Sequence, residues 1–172
     1  MLFEKHKNYI DDLFTRYPIK RSALLPLLNL AQKEEGYVSQ GAIREIASIL
    51  DLTPPQVFET VTFYTMLHLK PIGEYHIQVC RSLMCALVRA DNLIEWLQKH
   101  LSISVGQTTL DKMFTLSAVE CLGSCGTGPM MQINDDYYER LTEDKVEKIL
   151  ADLKQTGHCE LKSGPFMAPE PR

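Results

Sequence analysis

The sequence predicts two folded parts in one chain of 172 residues: an all-helical part, followed by an α/β part with a mixed sheet. Apolar residues recur at helical spacing through residue 69, as in amphipathic helices. After Lys70-Pro71-Ile72-Gly73 the period becomes alternating, as in strands. We therefore predict a helical bundle at residues 1–70, an α/β domain at 71–157 and an extended or mobile tail at 158–172.

The helical part contains four predicted helices joined by short connections. The first ends before Pro18, and the leucine-rich second ends at Gly36. Ser39 caps the third helix, and Thr53 caps the fourth, which the apolar pattern extends to Leu67. The second helix is so apolar that it packs either in the bundle core or against a partner.

The α/β part alternates strands with helices, a pattern that predicts a layered fold with a mixed sheet. Asn134-Asp135-Asp136 is a hairpin turn between two of the strands. In chain order, the predicted elements are a strand at 75–79, a helix at 87–101, a strand at 113–119, hairpin strands at 130–133 and 137–141, and a helix between Thr142 and Gly157.

Composition and charge exclude several functional classes. The chain carries 18 basic and 22 acidic residues, a net charge of −4, and so lacks the basic surface that nucleic-acid binding requires. The longest apolar stretch, residues 23–31, is shorter than the roughly 20 residues of a membrane span, so no direct membrane insertion is expected. Without a secretory signal at its start, the chain is expected in the reducing cytoplasm, where cysteine clusters usually mean metal or redox chemistry.

Four of the five cysteines form two spaced pairs, Cys80-x4-Cys85 and Cys121-x3-Cys125. Each pair follows a predicted strand, so we expect all four thiols in loops at one end of the sheet. Four convergent thiolates hold either an iron–sulfur cluster or a structural zinc ion. The wide spacing favours a two-iron cluster, because zinc sites usually use tight C-x2-C pairs.

The surroundings of the second pair fit a cluster as well. Gly123, Gly126 and Gly128 let the backbone approach the metal centre and direct N–H groups at sulfur. The fifth cysteine, Cys159, lies in the predicted tail and is expected to be a plain surface thiol. The histidines show no paired spacing, and His76 is expected to be a partly buried structural residue.

Three segments together resemble a known family. They are Cys80-x4-Cys85, Cys121-Leu122-Gly123-Ser124-Cys125, and the run from Pro129-Met130-Met131 to Asn134-Asp135-Asp136-Tyr137-Tyr138. This pattern is similar to the small [2Fe–2S] subunit of NADH:quinone oxidoreductase (respiratory complex I), and the match covers roughly residues 5–153. Two segments depart from the family: Arg81-Ser82-Leu83-Met84 stands where Thr-Asn-Leu-Pro is expected, and Gly126-Thr127-Gly128-Pro129 replaces an Asn-Ala-Pro type of loop.

The resemblance implies a helical bundle joined to a thioredoxin-like ferredoxin domain with one [2Fe–2S] cluster. It also implies an oxidoreductase subunit that is itself an electron carrier without a substrate site. The cluster would exchange electrons with the FMN of an NADH-oxidising flavoprotein, so FMN and NADH belong to that partner. Further subunits would hold the chain on the cytoplasmic side, peripheral to the inner membrane.

Two alternatives stay open from the sequence. One is the equivalent subunit of an NAD-linked hydrogenase or formate dehydrogenase, which resembles the same family. The other belongs to a different class: a zinc-stabilised interaction module without redox activity. In either case the chain lacks the glycine-rich fingerprint of dinucleotide-binding folds, so we do not expect it to bind NADH itself.

Overall fold

The chain folds into two units, of which the first ends at Pro71 and the second begins at Ile72. A computed structural model describes residues 3–163. None of the helices in that part of the chain is long and apolar enough to cross a membrane.

The first unit consists of four α-helices with short 3₁₀ turns before the first and second. Their bounds are α1 Lys7–Arg16, α2 Leu24–Glu35, α3 Gln40–Leu50 and α4 Pro54–Phe63.

The predicted helix ends of this unit are confirmed by local geometry. The Ser39 hydroxyl accepts a hydrogen bond from the backbone N–H of Ala42 at 3.1 Å, which caps α3. Thr53 and Gln56 form a capping box at the start of α4. Gly36 ends α2 with a φ of 78°, a left-handed conformation that glycine adopts at little cost.

Helix α2 contributes three leucines to the core of this unit, which all four helices share. Leu24, Leu27, Leu28 and Ala31 are all buried, which decides in favour of core packing for this helix. The predicted extension of α4 to Leu67 is wrong, because Tyr64 already adopts an extended conformation and ends the helix. Leu67 is nevertheless buried. It lies in a loop, but its position in the sequence continues the spacing of apolar residues that predicts a helix.

The second unit contains a four-stranded mixed sheet with three α-helices. The strand order is β2-β1-β3-β4, with β1 parallel to β2 and the other neighbouring pairs antiparallel. The bounds are β1 Tyr75–Cys80, α5 Leu83–Leu87, α6 Ala90–Leu101, β2 Phe114–Val119, β3 Met131–Ile133, β4 Asp136–Tyr138 and α7 Glu143–Thr156.

Strand β1 lies inside the sheet and pairs directly with β2 and β3, whereas β4 pairs with β3. Ile77 of β1 lies opposite Leu116 of β2 and Ile133 of β3, and all three side chains are buried. At the outer edge of β2, the segment 106–109 runs alongside the strand, with a hydrogen bond of 2.7 Å from the N–H of Gly106 to the carbonyl of Leu116. At the outer edge of β4, the N–H of Ser163 donates to the carbonyl of Tyr137 at 2.7 Å.

Three predicted features of this unit need correction. The helix predicted at 87–101 begins only at Ala90, and the short helix α5 before it was not predicted; Arg89 separates the two with a φ of 69°. The hairpin is confirmed, but its strands are only three residues each. Cys159 is 2% exposed and packs in the core of this unit, so the prediction of a surface thiol is wrong. Of the tail predicted at 158–172, residues 164–172 lie outside the described residues.

Gly73 is the residue where the approach to β1 passes closest to β2. A Cβ atom there would lie 2.9 Å from the carbonyl oxygen of Met113, and the N–H of Gly73 donates to the Thr115 hydroxyl at 2.6 Å. We expect Gly73→Ala to lower the stability of the second unit by about 1–3 kcal/mol, because the obstructing atoms are backbone. Fluorescence of Trp96, the single tryptophan of the chain, during urea unfolding measures the loss.

Gly41→Ala is the control, since Gly41 lies in the first unit and its Cβ position makes only an ordinary contact of 3.5 Å with the Ser39 hydroxyl oxygen. Equal unfolding midpoints for the two variants would contradict the close approach at Gly73.

Candidate metal centre

The four paired cysteines lie on different elements of the second unit. Cys80 is the last residue of β1 and Cys85 lies within the short helix α5; both are buried. Cys121 follows β2, and Cys125 begins a 3₁₀ turn; both are exposed. The expectation that all four lie in loops is therefore wrong for Cys80 and Cys85.

The pairing of β1 with β2 brings the two cysteine pairs to one end of the sheet. Cys80 lies opposite Val119, the last residue of β2 and two positions before Cys121. The sulfur atoms of Cys121 and Cys125 are 4.0 Å apart. The backbone of Leu122, next to Cys121, hydrogen-bonds to the thiol of Cys80, which also bonds to the thiol of Cys85. The two pairs therefore lie beside each other.

Backbone N–H groups point at the sulfur atoms. Burial raises the pKa of Cys80, but hydrogen bonds from the backbone of Leu122 and Ser82 outweigh it, so that the pKa is lowered overall. The N–H of Gly123, which has a φ of 82°, donates to the sulfur of Cys121 at 3.4 Å. These donors stabilise negative charge on sulfur, as the glycine pattern predicts.

Cys85 and Cys125 resist ionisation when no cation is near. Burial raises the pKa of Cys85 to about 11, with the neighbouring Cys80 thiol adding to the effect. The pKa of Cys125 is raised chiefly by its hydrogen bond with Cys121. Positive charge placed beside Cys85 and Cys125 would favour their thiolate forms, and a metal centre supplies such charge.

The loop after Cys125 passes closely over α5. A Cβ atom on Gly128 would lie 3.0 Å from the Cγ2 atom of Val88 and 3.4 Å from the sulfur of Cys85. Met130 and Ala90 are fully buried and form a small apolar cluster with Cys80 and Cys85. The inner half of the site is therefore shielded from water.

The loop of residues 121–127 is held from β4 and the residues after it. Tyr137 donates from its hydroxyl to the carbonyl of Leu122 at 2.8 Å. Glu139 accepts from the hydroxyls of Ser124 and Thr127, which lower the pKa of its carboxyl group. Sequence reasoning missed both roles: Tyr137 belongs to the Asn-Asp-Asp-Tyr-Tyr run, whereas nothing in the sequence singles out Glu139.

His76, on the same strand as Cys80, has a structural role, as predicted. His76 is buried, and its Nε2 atom lies 2.8 Å from the Ser117 hydroxyl on the neighbouring strand.

The thiols suit a two-iron cluster. Among residues 3–163, no three Cys, His, Asp or Glu side chains are close enough together to hold a single metal ion. A [2Fe–2S] cluster is larger, since four thiolates share two iron atoms. Two facing pairs of thiols with N–H donors on sulfur fit that demand.

Comparison with known proteins decides the family. A family profile described as thioredoxin-like [2Fe–2S] ferredoxin matches residues 10–154. The chain belongs to this family. Its cofactor is accordingly one [2Fe–2S] cluster.

Relatives of this ferredoxin are similar over most of their length. An NADH-quinone oxidoreductase subunit of Rickettsia felis is 45% identical over 150 residues, which are 86% of this chain and 90% of the relative. The subunit of the same name in Rickettsia prowazekii is 43% identical over 164 residues, covering 94% of this chain and 93% of the relative.

A solved structure confirms the fold. An NAD⁺-reducing [NiFe]-hydrogenase in the H₂-reduced state superposes with a TM-score of 0.69 over 78% of this chain, at 20% identity. This ferredoxin spans only 23% of that hydrogenase chain.

Tyr137→Phe removes one attachment of the 121–127 loop. We expect faster amide hydrogen exchange at residues 122–127 and a loss of about 0.5–1.5 kcal/mol in stability, because the Leu122 carbonyl loses its donor. Exchange followed by NMR measures the change. Tyr9→Phe, an exposed tyrosine of α1, is the control, and unchanged protection of the loop in Tyr137→Phe would contradict the attachment.

Proposed function

We propose that Cys80, Cys85, Cys121 and Cys125 are the four cluster ligands of an electron-carrying subunit in an NADH-oxidising complex. The proposal is supported by the convergence of these four thiols from separate elements. The fifth thiol, Cys159, is buried in a different apolar cluster of the unit. The cluster, when bound, takes up and releases one electron at a time.

The residues around the thiols prepare the site for added negative charge. N–H groups of Leu122, Ser82 and Gly123 donate to sulfur, and each such bond stabilises the thiolate form. Four thiolate ligands leave no open position for a substrate. An oxidised cluster of this kind takes the net charge from −4 to roughly −6.

The partner we propose is a flavoprotein that oxidises NADH at FMN, within an NADH:quinone oxidoreductase. Relatives at 43–45% identity, matched over most of their length, are named as subunits of that enzyme. The hydrogenase alternative rests on a likeness of 20% identity, which concerns the fold. Further components of the complex would hold the chain on the cytoplasmic side of the inner membrane.

The surface through which this partner binds is an apolar patch on α5. The α5 patch consists of four exposed side chains, Leu83, Met84, Leu87 and Val88. Leu83 is 73% and Leu87 70% exposed, whereas Cys85 of the same short helix is buried. Exposed apolar patches of this kind mark interaction sites. Because the helix of the patch carries Cys85, a protein docked here comes close to the proposed cluster.

Individual replacement of the four ligands by serine tests the cluster assignment. We expect Cys80→Ser, Cys85→Ser, Cys121→Ser and Cys125→Ser each to lose iron and acid-labile sulfide, because a hydroxyl is a poorer iron ligand than a thiolate. Iron and sulfide analysis on anaerobically purified protein, with EPR after reduction, measures the loss.

Cys159→Ala is the matched control and is expected to retain two irons per chain. An iron content that falls as far in this variant as in the four serine variants would overturn the ligand assignment. Zinc in place of iron in the unaltered protein would overturn the proposed function.

Leu87→Glu tests the α5 patch. We expect this variant to keep its cluster and to bind the FMN-containing flavoprotein about tenfold more weakly or worse, because a charge replaces an apolar contact in the interface. Co-expression with the flavoprotein, followed by titration of the purified partners, measures the affinity.

Leu110→Glu is the control, since Leu110 is fully exposed but lies in the segment between α6 and β2. Equal affinities of the two variants would exclude the α5 patch as the docking surface.

A further inference from the structure

Glu139 is hydrogen-bonded to the loop that contains the second cysteine pair. A single carboxylate oxygen, Oε1 of Glu139, accepts from both Ser124 and Thr127, the latter at 2.5 Å. Ser124 directly precedes Cys125, and Thr127 ends the 3₁₀ turn that Cys125 begins. One oxygen atom therefore holds the turn on both sides of a proposed ligand.

The backbone around Glu139 is itself fixed. Lys145 donates from its ammonium group to the carbonyl of Glu139 at 2.6 Å, and the N–H of Arg140 donates to the carbonyl of Thr127 at 2.7 Å. Lys145 belongs to α7, which packs in the core of the unit. The carboxylate thus connects an exposed loop to a rigid part of the molecule.

The loop is held by hydrogen bonds and not by burial of its cysteines. Cys121 and Cys125 are exposed, and the turn from Cys125 to Thr127 contains no buried residue. Hydrogen bonds to a charged acceptor are about twice as strong as neutral ones. Ionisation of Glu139 is favoured by both hydroxyls, which lower the pKa of its carboxyl group.

We propose that Glu139 is a positioning residue for the cluster: through the hydroxyls of Ser124 and Thr127 it fixes Cys125 in the orientation that binds iron. This inference rests on the proposed ligand set. The orientation of Cys125 depends on the shared oxygen atom and its two hydroxyl donors, and the charge of the carboxylate makes a smaller contribution.

The experiment compares holo-protein variants of the full chain. We expect Glu139→Ala to release iron to a chelator about tenfold faster than the unaltered protein, the usual cost of losing a partner that orients a metal ligand. Its reduced cluster should also give a broadened EPR signal. Glu139→Gln retains an Oε1 acceptor and is expected to restore most of both properties.

A double-mutant cycle tests whether Glu139 acts through the hydroxyls of Ser124 and Thr127. Ser124→Ala combined with Thr127→Val should release iron as fast as Glu139→Ala, and adding Glu139→Ala to that pair should make no further difference. Glu143→Gln removes a nearby exposed carboxylate and should leave release and EPR unchanged.

Each contrary result is distinguishable. Additive effects in the cycle, or Glu139→Gln behaving like Glu139→Ala, would overturn positioning and leave an effect of charge alone. A lower unfolding temperature with an unchanged EPR signal would show a merely structural role. If Glu139→Ala does not fold, the Ser124/Thr127 pair and Glu139→Gln still decide. Failure of the unaltered protein to hold a cluster would instead refute the proposed function.

Discussion

Parallel pairing of β1 with β2 is the constraint on which the rest of the second unit depends. Parallel strands must be joined by a crossover, and here α5 and α6 provide it. Because both strands run in the same direction, the residues that follow them lie at the same end of the sheet. The register that sets Cys80 beside Val119 therefore brings together two cysteine pairs that are 35 residues apart in sequence. Gly73 allows the two strands to come this close.

Burial divides the four thiols into two unlike pairs. Cys80 and Cys85 share an apolar environment with Met130, whereas Cys121 and Cys125 face solvent. The inner pair is positioned by packing, since β1 and α5 are regular elements within the core. The outer pair lies on an irregular loop and is positioned by individual hydrogen bonds from Tyr137 and to Glu139. Precision at the site thus comes from two different sources.

The sequence predicted most of the fold and the four thiols, because alternation, capping residues and paired cysteines are local signals. It failed where tertiary contacts decide. Helix α5 is too short to show a period, and the break between α5 and α6 uses a left-handed conformation at Arg89 without a glycine. Cys159 lies in a segment without regular structure, and only its packing in the core of the second unit buries it. Glu139 gave no signal at all, since its two hydroxyl partners reach it only in the folded chain.

Both outer edges of the sheet are already occupied by the chain itself. The segment 106–109 runs along β2, and Ser163 donates to β4. A sheet with free edges attracts strands from other molecules, which leads to aggregation or to sheet extension across an interface. Within residues 3–163, the segment 106–109 covers the β2 edge with several backbone hydrogen bonds, whereas Ser163 covers the β4 edge at Tyr137 alone. A strand from a neighbouring molecule would have to displace these contacts before it could extend the sheet.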